Sequence, residues 1–193
     1  MAGTRDLTLK EVTDEYLDSI NVKYPPNPAD IAGDILANTR VAFDIHNASA
    51  EKGEKWRIRH RLSPIQIADI MVKLYPIAMI QCRSQNGSTH SVLGIYQDVG
   101  EDKGIYITNK DNIFKIANEY CYGIGRCERE KLLRNLRSSA PKAWLCEESH
   151  LVAMNNGIYN KDTKELMPFT PDLVFLEKSD EDYNPNSDEK SCE

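Results

Sequence analysis

No stretch of the 193-residue sequence approaches 18 consecutive apolar residues, the length at which a segment reads as a candidate membrane span, so no membrane partner is expected. Met1 to Asp6 run straight into a polar helical pattern, without the apolar core of a secretory leader. The five cysteines are odd in number and irregular in spacing, which excludes a disulfide framework and implies a reduced, cytoplasmic setting. A phosphate-cradling loop would end in Gly-Lys-Ser or Gly-Lys-Thr. Gly123-Ile124-Gly125 is followed instead by Arg126-Cys127 and reads as a loop between helices, so the chain alone is not expected to hydrolyse ATP. Cys121-x5-Cys127 and Cys146-x3-His150 are too widely spaced for the tight knuckles of a structural zinc site, and no metal is assigned. In Phe43-Asp44-Ile45-His46, a histidine stands where a metal-binding acid pair would need its second acid. His46, His60, His90 and His150 belong to no nucleophile motif. No catalytic residue and no cofactor is assigned, and the chain is not expected to be an enzyme on its own.

What is present is a mixture able to bury a core, 40% hydrophobic and 28% charged. The net charge of -6 is unevenly spread. Between Glu177 and Glu193 stand seven acids against Lys178 and Lys190, which leaves the remaining body near neutral. This stretch, with Asn184-Pro185-Asn186-Ser187 inside it, reads as an acidic flexible tail or linker, residues 177–193.

Thr8-x-x-Glu11 has the form of a capping box, and Leu9, Val12, Tyr16 and Ile20 extend a first helix to about Ile20. Pro25-Pro26 breaks it; Asn27-Pro28 restarts a helix with Ile31, Ile35 and Leu36 inward. Ser63-Pro64-Ile65-Gln66 opens the clearest helix, which Pro76 stops. Strands are expected at Ile77–Cys82, Val92–Tyr96 and Gly104–Ile107, with a turn at Gln85-Asn86-Gly87-Ser88. Helices follow, one capped by Asp111 and one from about Glu128 to Ser138. A last hairpin runs Leu151–Ile158, turns through Asn160–Lys164 and returns along Leu166–Phe169. The order is α+β: helices with short β-hairpins, compatible with a winged-helix-like core, then a C-terminal hairpin and the acidic tail.

Two clusters carry positive charge. In Lys55-Trp56-Arg57-Ile58-Arg59-His60-Arg61 a strand would set Lys55, Arg57, Arg59 and Arg61 on one face. In the basic helix Arg126, Arg129, Lys131, Arg134 and Arg137 are not one tight stripe, but Arg126, Arg129/Glu130, Arg134 and Arg137 follow three-to-four spacing. Cations that release counterions from phosphates are the basis of nucleic-acid affinity, so these nine residues are the candidate DNA contacts. The competing reading is a solvated helix face with Glu130–Arg134 as an i,i+4 pair.

The final hairpin adds a resemblance. Asn155-Asn156-Gly157-Ile158-Tyr159-Asn160 followed by Thr163-Lys164-Glu165-Leu166-Met167-Pro168-Phe169-Thr170-Pro171 resembles the hairpin that closes the poxvirus-type amino-terminal domain of phage and plasmid primase-helicases. Asn156, Gly157, Pro168 and Pro171 are its structural residues. Tyr183-Asn184-Pro185-Asn186 resembles the tripeptide that follows, and the order of elements upstream is similar, so the likeness covers about Leu62 to Asn186. In that family the domain precedes a superfamily III helicase. The resemblance implies a domain of residues 62–176 preceded by a helical segment, 1–61; separately, the polar stretch Ala48–Lys55 marks a loop or subdomain boundary. It also implies single-stranded or forked DNA as partner, a helicase ATPase domain in cis or in trans, self-association, and a bacterial host cell. The family's primase acidic pair is absent, and Ser88-Thr89-His90 is read as a chance match in a turn. The expected function is a non-catalytic DNA replication module. The alternative is a phage-encoded interaction or inhibitor protein whose acidic tail mimics nucleic acid. Asn156-Gly157 is also expected to supply the positive φ of a hairpin turn.

Overall fold

A computed structural model describes residues 4–84 and 86–185. The chain folds as α+β, with the helices α1 (Thr4–Ser19), α2 (Pro28–Ser49) and α3 (Pro64–Leu74) first. The strands β1 (Ile77–Arg83), β2 (Thr89–Tyr96) and β3 (Tyr106–Ile107) come next, then helices α4 (Lys110–Tyr120) and α5 (Arg126–Ser139). The strands β4 (Lys142–Trp144), β5 (Leu151–Met154), β6 (Gly157–Asn160) and β7 (Glu165–Met167) close the order. The described residues form two compact units, and the chain crosses between them three times. One unit is built from the chain up to Pro76 with Asn109–Ala140 and holds all five helices; the other is built from Ile77–Thr108 with Pro141 onward and holds all seven strands. This division differs from the sequence-based one. Residues 1–61 form no unit of their own, because α1 and α2 pack on α3 and α4. The expected β-hairpin and the helices of a winged helix fall in different units.

The helices begin where capping chemistry puts them. Asn27 Oδ1 accepts from the Asp30 amide at the start of α2, with Pro28 in the first turn. At α3, Ser63 Oγ accepts from the Gln66 amide and Gln66 Oε1 accepts from the Ser63 amide, the reciprocal box expected from the four-residue signal. Two caps differ from expectation. The first helix already starts at Thr4, and Thr8 sits inside it with its hydroxyl donating to the Thr4 carbonyl. At α4, Asn109 rather than Asp111 caps, by accepting from the Asp111 amide. The helical core is Leu9, Leu17, Ile31, Ile35, Phe43, Ile67, Ile70, Met71, Ile113, Leu132 and Leu136, each at most 5% exposed.

The strand unit contains two sheets. In the first, ordered β3-β2-β1-β4, the hairpin partners are antiparallel and β4 runs parallel to β1. The second is a meander, β5-β6-β7. The second hairpin thus differs from expectation: its first turn comes at Asn155-Asn156, and the polar stretch after Asn160 makes a second one. Ser88-Thr89-His90 differs too, because Thr89 and His90 lie in β2 rather than in a turn.

Residues 171–183 tie the two sheets together. Val174, buried, bridges to Leu145; the Tyr106 amide donates to the Phe175 carbonyl, and the Tyr106 hydroxyl donates to the Pro171 carbonyl. Further along, the Ser179 amide donates to Ala153 and the Asn155 amide to Glu181. The first part of the expected acidic tail is therefore a hydrogen-bonded strap; residues 186–193 of that tail lie outside the described residues. Charge counting missed the strap because it is held by main-chain pairing, to which acidic side chains are no obstacle while they stay in water.

Candidate nucleic-acid interface

The segment from Lys55 to Arg61 has no regular secondary structure, bends at His60 and Arg61, and pairs with no strand. Its anchor is Asn47 on α2, whose side-chain amide donates to the Trp56 carbonyl and whose Oδ1 accepts from the Trp56 amide, at 2.9 and 2.7 Å. One asparagine thereby imitates a ladder partner. The Trp56 indole stacks on His46 at 3.6 Å between centroids and meets Phe43 edge-on. With Trp56 turned inward, Lys55, Arg57 and Arg59 stay exposed while Trp56 and Ile58 are half-buried. The alternation survives as far as Arg59 without the sheet it suggested; His60, expected on the inward side, is exposed like Arg61.

The basic helix α5 is fixed by Leu132 and Leu136 in the core and by Glu128, which accepts from the Gly125 amide at its start. Its cations do not form one stripe. Arg126 is taken up by Glu130 at 3.4 Å. Arg129 folds back, donating to the Ile124 carbonyl and lying over the Phe114 ring at 4.9 Å. Arg137 is exposed, and no partner for its side chain exists among the described residues. Lys131 and Arg134 turn toward a cavity of about 290 Å³ that Arg5 and Arg59 also line.

That cavity joins four parts of the sequence: α1, the Lys55–Arg61 segment, the start of α3 and α5. Asp6 is the acid on its wall, and Asn135 adds an amide. Arg5 stands behind it, with one guanidinium nitrogen 3.5 Å from the Arg57 carbonyl and the group 5.5 Å above the Phe43 ring. Its Nε is buried without a hydrogen-bond partner. On the other side of Arg5 and Arg59, a second concavity is lined by Arg57, Ile58, His60 and Arg61. Arg61 is partly neutralised there by Glu128 at 3.9 Å.

Of the nine expected contacts, Arg57, Arg59, Arg61, Lys131 and Arg134 are thus gathered around the two concavities. Lys55 and Arg137 are simply exposed, and Arg126 and Arg129 are engaged within the protein. Sequence reasoning missed Arg5 and Asn135. Arg5 is an isolated cation some 50 residues from its neighbours in space, and nothing local marks it.

The hairpin residues of the resemblance lie in the strand unit, and their roles there are structural. Asn156 Nδ2 donates to the Tyr183 carbonyl, and Asn156 Oδ1 accepts from the Tyr183 amide. Asn155 Nδ2 donates to Asp182, and the Tyr183 ring stacks on Tyr159 at 4.2 Å. The Asn-Asn-Gly turn and the Tyr-Asn-Pro segment, 27 residues apart, are therefore two sides of one clamp. Gly157 does not have the positive φ expected of it; Lys164 does, at 58°. Gly157 is needed for space, since a Cβ there would come within 2.6 Å of the Met167 carbonyl oxygen. Pro171 supplies the carbonyl that holds Tyr106, while Pro168 is exposed just after β7.

Among the described residues no three His, Cys, Asp or Glu side chains converge as metal ligands, and no helix is long and apolar enough to cross a membrane. No protein-family model matches the sequence, and no curated protein is similar enough to it to count as a match.

Proposed function

We propose that this chain is a non-catalytic DNA-binding module of a replication system of the phage or plasmid primase-helicase type. It contacts single-stranded or forked DNA through the basic surface of its helical unit. It supports a helicase ring by docking or self-association. The observation that carries the DNA half is the gathering of Arg5, Arg59, Lys131 and Arg134, from three distant parts of the chain, around one cavity. Clustered like charge is costly in a fold unless an anion meets it. The replication half rests on the resemblance of Asn155–Pro171 and Tyr183–Pro185 to the primase-helicase domain. In its support, the two motifs form one clamp through Asn156 and Tyr183.

Fluorescence anisotropy with single-stranded, duplex and forked DNA, at several salt concentrations, tests the DNA half. Four phosphate contacts predict a slope of log affinity against log salt of about -3 for a single strand, reduced by roughly 0.7 for each cation removed. Absence of binding at low salt sinks it. The assembly half fails if sedimentation shows only monomer and no helicase partner binds.

The second reading, an acidic interaction or inhibitor protein, is favoured by the excess of acids over cations, 15 to 7, in the strand unit's sequence. Because the strap is part of the fold, deletion is a poor test of mimicry. Neutralising Asp180 and Glu181 together should abolish partner binding if mimicry is the function and leave DNA binding intact if it is not.

A further inference from the structure

We propose that the cavity between α1, the Lys55–Arg61 segment, the start of α3 and α5 is a terminal-phosphate site, taking a phosphomonoester at the end of a nucleic-acid strand or on a free nucleotide. The inference rests on the DNA-binding reading above and gives it a ligand class. Three features separate a terminal phosphate from an internal one.

The first is charge. Four cations and one carboxylate, Asp6, surround one bounded space. A phosphodiester brings one negative charge, whereas a phosphomonoester brings nearly two, with three strong acceptor oxygens.

The second is the state of the donors. Arg59, Lys131, Arg134 and Asn135 make no side-chain hydrogen bond or ion pair among the described residues, and the Arg5 Nε is buried without a partner. A buried donor without an acceptor, as at the Arg5 Nε, is uncommon and costly; Arg59, Lys131 and Arg134 are exposed and free to turn onto an incoming anion. The start of α3 also reaches the wall through Ser63 and Pro64, but its capping box already consumes the Ser63 and Gln66 amides. Side chains, not the helix end, hold the anion.

The third is shape. At about 290 Å³ the cavity lies at the lower edge of ligand-site volumes, roughly 300 Å³ and upward. That volume matches a phosphate and its first sugar rather than the width of a duplex. None of its lining residues is aromatic, so no base finds the stacking surface on which single-strand binders rely.

The test uses the full chain and one 3′-labelled single-stranded oligonucleotide carrying either a 5′-phosphate or a 5′-hydroxyl. The phosphorylated strand is expected to bind about tenfold tighter, the scale of one charge-assisted hydrogen bond. Lys131→Gln with Arg134→Gln should erase that preference, and Arg137→Gln should not. If the α5 double variant loses its helical circular dichroism, Arg59→Gln, outside any helix, makes the same test. Adenosine monophosphate that competes with the labelled strand adds free nucleotides to the ligand class; without competition the site is specific for strand ends. Equal affinity for the two strands, with DNA binding intact, overturns the terminal-phosphate site and leaves the DNA reading standing. No binding of either strand at low salt overturns both.

Discussion

The two halves of this molecule are made from the same chain in alternation, yet they differ in charge and in how they are held. The sequence of the helical unit carries 17 lysines and arginines against 15 acids; that of the strand unit carries 7 against 15. The helical unit is closed by a core of aliphatic side chains spread over five helices. In the strand unit the buried cluster is smaller, Ala78, Ile80, Cys82, Tyr96, Tyr106 and Val174, and the strap adds main-chain and amide hydrogen bonds to it. The contrast teaches that the overall negative charge says little about partners. A cation-lined cavity sits in a chain of net charge -6 because 17 of the 24 lysines and arginines belong to the helical unit's sequence, while the acids divide equally, 15 and 15.

The contrast is tested most severely in the core. Leu136, fully buried in α5, should cost about 2–5 kcal/mol when replaced by alanine, read as a lower denaturation midpoint with loss of helical circular dichroism. Its counterpart in the strand unit is Gly104. This residue has a φ of +93°, and a Cβ there would stand 2.2 Å from the Phe169 ring. Gly104→Ala should cost about 2–4 kcal/mol through strain and overpacking. A Gly104→Ala protein as stable as wild type would show that both Phe169 and the local backbone yield freely.

At the surface, Lys131→Glu with Arg134→Glu should weaken DNA binding about 30- to 100-fold, on the order of 1 kcal/mol per lost phosphate contact. Thermal stability should stay unchanged, since both side chains are exposed. An equal loss of affinity on neutralising Asp180 and Glu181 would erase the distinction between the units. Asn156→Ala removes both hydrogen bonds to Tyr183 and should cost about 1–2 kcal/mol, seen as faster amide exchange in β5, β6 and the strap.

The smallest effect concerns Asp69 on α3. Burial raises its pKa above the usual carboxylate value, although Lys10 at 3.3 Å pulls the other way. Its second oxygen, Oδ2, has no partner. A raised folded-state pKa means that the stability linked to the proton is fully present below the ordinary carboxyl value. It is lost as pH rises through the raised one. Wild type should therefore gain slightly on mild acidification, and Asp69→Asn should flatten that gain in denaturation midpoints taken across that window.

What the sequence showed and hid follows from the range of each interaction. The α3 start was legible because Ser63, Pro64 and Gln66 are contiguous and act on one another's backbone. At Lys55–Arg61 the sequence left a strand open and none forms, because Asn47 pairs with the Trp56 backbone where a neighbouring strand would stand. Gly157 was given the wrong reason, since Asn-Gly signals a turn but the crowding comes from Met167, ten residues on. The cavity itself was beyond local reading. Arg5, Arg59 and Lys131 become neighbours only after α1, α3 and α5 pack.

The alternation of helices and strands along the chain sets an order of events on the ribosome. The helical unit has all its residues once Ala140 has emerged, with β1 to β3 looped out of it. The strand unit still lacks β4 to β7 and the strap at that moment. Domains generally fold as units during synthesis, at about 5–20 residues per second. For some seconds of synthesis, then, β1 to β3 lack the parallel partner β4 that lies beside β1 in the finished sheet. Nascent chains stalled at increasing lengths past Ala140 should lose protease sensitivity first in the helices, and in β1 to β3 only after Tyr183 is free of the tunnel.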